Sequence, residues 1–188
     1  MKKNLLIIGA GGHGRCCLDI ARESNEFQKI SFLDDGCIGE IVNGAEVIDS
    51  ISNLQKYKDK YQAVFVAIGN NSFRKEVQKI AEDNGFFIPK LFSKRSWISD
   101  YAFVGKGSVI FPGVVIEANA TIGEGCIVTA NATVNHDAIM EDYSLVYSNT
   151  VIRPNVIIRE CSRIGSGCVI TFGTEIEAGM DISDGTII

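Results

Sequence analysis

From Ile98 to Ile188 an aliphatic residue recurs at every sixth position: Ile98, Val104, Ile110, Ile116, Ile122, Val128, Val134, Met140, Val146, Ile152, Ile158, Ile164, Ile170, Ile176, Ile182 and Ile188. Two positions before most of them stands a small residue, such as Ala102, Ser108, Ala120, Cys126, Ala132, Ser144 or Cys168. The third residue after each aliphatic, from Gly107 to Gly185, is Gly, Asn or Asp in twelve of fourteen cases, with Tyr143 and Cys161 the exceptions. Those residue types tolerate a left-handed backbone, so each six-residue unit reads as a short strand followed by a tight corner. Pro112-Gly113 and Pro154-Asn155 suit the two central places of a type II turn. Three such units, with their three corners, close one triangular coil, and small residues let successive coils stack into a parallel β-helix.

Residues 1 to about 90 follow another rhythm. Leu5 to Ile8 predicts a strand entering GAGGHG at 9–14, and Arg15 to Ser24 a helix. Ile30 to Leu33 predicts a strand ending at Asp34 and Asp35; Ala63 to Ile68 another ending in Gly-Asn-Asn; Ser72 to Asn84 a helix; and Phe86 to Ile88 a last strand. Strands alternating with helices imply a small parallel sheet, here a Rossmann-like domain at 1–90 followed by the repeats at 91–188.

Composition narrows the partners. With 18 basic and 23 acidic residues the net charge is −5, which argues against a nucleic-acid backbone or an anionic membrane surface. The apolar run after Lys2 and Lys3 is too short for a signal peptide, and nothing else approaches membrane-spanning length. Six cysteines without a CxxC pair then read as reduced thiols of a cytoplasmic protein.

GAGGHG satisfies G-x-G-x-x-G between a strand and a helix, and the acid Asp34 follows at the spacing of about 20 residues that goes with such a loop. Read alone, this is a dinucleotide fingerprint and suggests an NAD-dependent oxidoreductase. The short N-terminal domain fits a single nucleotide better. The same glycines also serve a plain strand-to-helix turn, with Asn71 and Ser72 capping the next helix. His13, at the loop tip, reads either as a donor to a phosphate or hydroxyl, or as a cap for its own helix. His136 is the only other histidine and lies on a corner of the coil. An imidazole there, with Asp137 beside it, suits a general base held by a carboxylate. Asp137 also occupies a position where corner residues recur regardless of chemistry.

GAGGHG, Leu33-Asp34-Asp35, VAIGNN with Arg74 at 66–74 and His136-Asp137 within the repeats together resemble the hexapeptide-repeat sugar O- and N-acetyltransferases of the sialic-acid O-acetyltransferase and UDP-4-amino-sugar N-acetyltransferase type. The resemblance implies a left-handed β-helix and transfer of an acetyl group from acetyl-CoA to an amino or hydroxyl group of a nucleotide-linked sugar in bacterial glycan synthesis. It implies His136 as general base and Asp137 as its orienting partner. It implies that Gly11, Gly12, His13, Gly14, Asp34, Asp35, Gly69 and Asn70 bind the nucleotide-sugar, that Arg153, Pro154 and Gly173 meet the cofactor, and that the protein is a homotrimer.

The chain departs from that pattern in places. Thr129 stands for an Asn, Leu145 for a second His, and Arg153-Pro154 for an Ala-Gly pair whose glycine amide would meet the thioester carbonyl. Proline has no N–H to donate. Relatives continue beyond the position of Ile188 with a further coil and a tail that helps hold the pantetheine. These departures favour, as the alternative, a non-catalytic or weakly active relative that binds a nucleotide-sugar.

Overall fold

The computed structural model describes residues 2–188, and the chain forms two units, 1–91 and 92–188. In the first, β1 (Lys3–Ile8), β2 (Phe27–Leu33), β3 (Ile41–Val42), β4 (Ala45–Asp49) and β5 (Ala63–Val66) form one sheet in the order β3-β4-β2-β1-β5. β1 pairs in parallel with both β2 and β5, and its last four residues, Leu5 to Ile8, are fully buried, as a central parallel strand covered on both faces requires. The helices α1 (Gly12–Ser24) and α2 (Asn71–Asp83) follow β1 and β5. Their apolar stripes, Cys17, Leu18, Ile20 and Ala21 on α1 and Val77 and Ala81 on α2, are buried.

Residues 36–62, to which the hydrophobic pattern assigns no element, hold the antiparallel β3–β4 hairpin and a 3-10 helix, Ile51–Tyr57. The hairpin turns on Asn43 and Gly44, both at positive φ (47° and 76°), the signature of a type I′ turn. The strand expected at 86–88 is reduced to a single bridge between Phe87 and Ala63.

In the second unit two-residue strands recur at every sixth position from Trp97–Ile98 to Asp181–Ile182. Each pairs in parallel with the strand three repeats further along the chain: Val115 with Thr133, Thr133 with Val151, Val151 with Val169. Three sheets of five, five and six strands result, the last beginning at Leu91–Phe92. The repeated aliphatics point inward and form one continuous core; Ile110 through Ile170 are fully buried. Each such side chain contributes roughly 1.5–3 kcal/mol relative to exposure.

All fourteen expected corners adopt positive φ, including Tyr143 (58°) and Cys161 (59°). Position in the coil therefore overrides residue preference at those two corners. The small residues also do more than save space. Ser108 donates to the carbonyl of Gly123, Ser144 to that of Arg159, Ser162 to that of Glu177 and Thr150 to that of Gly165, while Cys126 and Cys168 direct their thiols at the carbonyls of Glu141 and Ser183. Corner carbonyls thereby gain a donor from the coil before.

Candidate functional site

Two clusters carry chemistry, one in each unit. In the first, β1 and β5 are neighbours although β2 to β4 intervene in sequence, so the sheet reverses direction of growth between them. A crevice forms beyond the carboxyl ends of strands at such a point. The two loops that border it are Gly9–Gly11 and Ala67–Asn70. They approach closely: a Cβ on Gly9, whose φ is +99°, would stand 2.9 Å from the carbonyl oxygen of Ala67. Gly14 brings α1 against the strand end, since a Cβ there would overlap the carbonyl oxygen of Gly9. Gly11 and Gly69 face open space, where a ligand can approach the backbone. Both helices direct their N-termini at this crevice, an arrangement that favours an anion.

The acidic pair at the end of β2 braces the loops. Asp34 accepts from the backbone N–H of Ala10 at 2.7 Å and of Gly36 at 2.8 Å, one carboxylate oxygen to each. Asp35 accepts from the Ser50 hydroxyl at 2.6 Å and the Ile51 N–H at 3.0 Å, tying the 3-10 helix to the strand end. Asp34 is thus committed to loop geometry, which a dinucleotide reading, with this carboxylate on a ribose, does not require. Asn70 caps α2, its side chain accepting from the Phe73 N–H at 2.9 Å, in place of the expected Asn71 and Ser72. His13 lies in the first turn of α1, its Nε2 3.6 Å from the Cys17 sulfur. Burial, aided by the nearby Arg74 charge, pushes its pKa down to about 4, so the ring is neutral at physiological pH.

The second cluster stands on the coil. His136 and Asp137 occupy the corner between the strands Thr133–Val134 and Ile139–Met140, and Asp137 has φ 61°. That conformation turns the carboxylate to the ring: Asp137 Oδ2 lies 2.7 Å from His136 Nδ1. Asn119, one coil earlier in the same column, donates to Asp137 Oδ1 at 3.3 Å. The bond to His136, with that from Asn119, holds the Asp137 carboxyl below the usual carboxylate range. An ionised carboxylate only accepts, so Nδ1 carries the hydrogen and Nε2 keeps its lone pair. Glu117, also from the preceding coil, accepts from the His136 backbone N–H at 2.9 Å. The imidazole is half exposed, open to an acceptor substrate.

Pro154 stands directly above His136, at the same place in the next coil, with Arg153 exposed beside it and Asn155 at φ 58°. Gly173 donates its N–H to the Pro154 carbonyl. The residues expected to meet a cofactor thus continue the His136 corner upward. Glu117 escaped the sequence reading, and only the three-unit period of the coil points to it.

Residues 4–81 match the PglD N-terminal domain family and residues 101–136 the bacterial transferase hexapeptide (six repeats) family. The acetyltransferase domain of PglB from Neisseria gonorrhoeae FA1090 is similar along the whole chain, with 31% identity, a TM-score of 0.94, and coverage of 100% of this chain and 91% of that one. The chain belongs to the PglB/PglD type of hexapeptide-repeat sugar acetyltransferases. This family has a left-handed β-helix, which sets the handedness of the coil. The same PglB domain in complex with acetyl coenzyme A matches at 32% identity and a TM-score of 0.90, covering 100% of this chain and 96% of that one. The GDP-perosamine N-acetyltransferase of Escherichia coli O157:H7 is 31% identical over an alignment of 137 residues that covers 70% of this chain. The matched region spans 61% of that curated relative's length.

Proposed function

We propose that the protein transfers an acetyl group from acetyl-CoA to an amino or hydroxyl group of a nucleotide-linked sugar. The single observation that carries this reading is the His136–Asp137 pair: an imidazole with its tautomer set by an ionised carboxylate 2.7 Å from Nδ1 and with Nε2 open. Acyl transfer from a thioester needs a base that removes the acceptor's proton as nitrogen or oxygen attacks the carbonyl, and Nε2 is that base. Asp137 orients the ring and stabilises the imidazolium that forms. The CoA thiolate leaves as the new amide or ester bond is completed. Likeness to acetyltransferases, one of them in complex with acetyl coenzyme A, supports the cofactor.

The nucleotide occupies the switch-point crevice of the N-terminal unit, with Gly11, Gly12, His13 and Gly14 on one wall, Gly69 and Asn70 on the other, and Asp34 and Asp35 bracing it. Arg153, Pro154 and Gly173 form the cofactor-facing corner. The protein works as a homotrimer, as the family resemblance implies, in the cytoplasm; no helix among the described residues is long and apolar enough to cross a membrane.

One observation favours a second reading. Pro154 offers no N–H at the corner one coil beyond His136, and the loss of an oxyanion donor typically costs about 10²–10³ in rate. A chain so affected binds nucleotide-sugars with weak turnover or none. One experiment separates the two: titrate the protein with acetyl-CoA and with UDP- and GDP-linked amino sugars, then follow thioester loss for wild type and His136→Ala. Turnover abolished by the substitution supports the enzyme. Sugar-nucleotide binding without CoA binding overturns it in favour of the second reading.

A further inference from the structure

Arg74, in the first turn of α2, is the largest fully buried side chain among the described residues, 1% exposed. Its Nη1 donates to the carbonyls of Ile68 at 2.9 Å and Gly69 at 3.2 Å, and its Nη2 to Asn71 Oδ1 at 2.8 Å. The guanidinium therefore clamps the β5–α2 loop at the residues that form one wall of the crevice. Its charge also reaches the opposite wall, where it acts on both His13 and Cys17 of α1. The cation thus lies against the Ile68–Gly69 backbone, while Gly69, and Gly11 on the opposite wall, face open space.

A buried charge is screened far less than a surface one. In a chain of net charge −5, an anionic ligand gains little from the long-range field and depends on local cations. Neutral His13 adds no charge at this wall. Arginine's fixed fork suits the clamp better than lysine's single ammonium, because it bonds two carbonyls and an amide in one plane.

We infer that Arg74 is the positioning residue through which this crevice distinguishes a nucleoside diphosphate from the bare nucleoside: it holds the Gly69 wall in place and supplies the positive charge behind it. The inference rests on the nucleotide reading of the N-terminal unit, and no atom of Arg74 need touch the ligand. A diphosphate feels both the fixed wall and the charge. A nucleoside lacking phosphates feels neither strongly.

The test uses the full chain and four probes, UDP, GDP, uridine and guanosine, titrated into wild type, Arg74→Lys and Arg74→Met by calorimetry for the diphosphates and ligand-observed NMR for the nucleosides. The wild type binds one diphosphate far more tightly than its nucleoside. Arg74→Met lowers that diphosphate affinity by 30-fold or more and the nucleoside affinity by less than 3-fold. Arg74→Lys keeps the charge, loses the fork, and gives a selective loss of about 3- to 10-fold. If Arg74→Met does not fold, Arg74→Lys alone decides through the ratio of the two affinities. Equal losses for diphosphate and nucleoside show a wall that has merely collapsed and overturn the inference, as does an unchanged ratio. Wild type that binds no probe overturns the nucleotide reading itself, and the inference with it.

Discussion

Replacing Asp137 by asparagine separates the corner residue from the catalytic one. The backbone at 137 sits at φ 61°, a conformation asparagine adopts as readily as aspartate, and Asn119, Asn131, Asn149 and Asn155 already occupy equivalent corners. The side chains of His136 and Asp137 are 53% and 44% exposed, so their contact adds little to stability, and Asp137→Asn should leave the unfolding midpoint unchanged. Catalysis responds differently. The carboxylate accepts from Nδ1–H at 2.7 Å. An amide oxygen in its place makes a neutral hydrogen bond, weaker than one to an ion. Rotated, the amide donates to Nδ1 and leaves Nε2 protonated, which is the wrong tautomer for a base. Together these lower kcat by about 5- to 30-fold, with KM for acetyl-CoA and sugar-nucleotide unchanged. The assay is steady-state thioester loss, with thermal unfolding of the same preparation as control. A folded Asp137→Asn protein with kcat within twofold of wild type would refute the orienting role and leave Asp137 as a corner residue.

Three further outcomes follow from the geometry. Gly14→Ala, whose methyl would overlap the Gly9 carbonyl oxygen, should destabilise the chain by about 2 kcal/mol or more and abolish nucleotide binding, whereas Gly11→Ala, with open space at its Cβ, should spare thermal stability and weaken nucleotide affinity alone. Ser144→Ala leaves the carbonyl of Arg159 without its buried donor and should cost about 1–2 kcal/mol, read as a lower denaturant midpoint at constant slope; alanine already fits the equivalent places at 120, 132 and 138. His13 has a folded pKa of about 4 against 6.5 for the free side chain. The unfolded chain therefore binds the extra proton between those values, and stability is lost as pH falls from about 6.5 to about 4, by up to about 3 kcal/mol. His13→Gln should flatten the unfolding free energy across that window, and a wild-type curve already flat there would contradict the burial of the neutral ring.

The six-residue period determined the second unit almost completely. An inward aliphatic, a small residue and a corner repeated in register leave one way to bury the apolar column, so strand positions, coil length and the place of His136 were all legible in the chain. Local chemistry also sufficed for β1, β2, α1 and α2, whose apolar periods are regular. The Asn43-Gly44 turn was equally local, yet the strands it joins are too short to show a pattern. What sequence could not supply was pairing across distance. Tyr143 and Cys161 take the left-handed conformation because stacking against neighbouring coils imposes it, against their own preferences. Asp34 is occupied by the N–H of Ala10 across the sheet, and Glu117 meets His136 only because three repeats complete one coil and bring their corners into one column. Arg74 reads along the chain as a polar residue in a helix's first turn. Only the fold buries it against the β5–α2 loop, where burial makes its charge count.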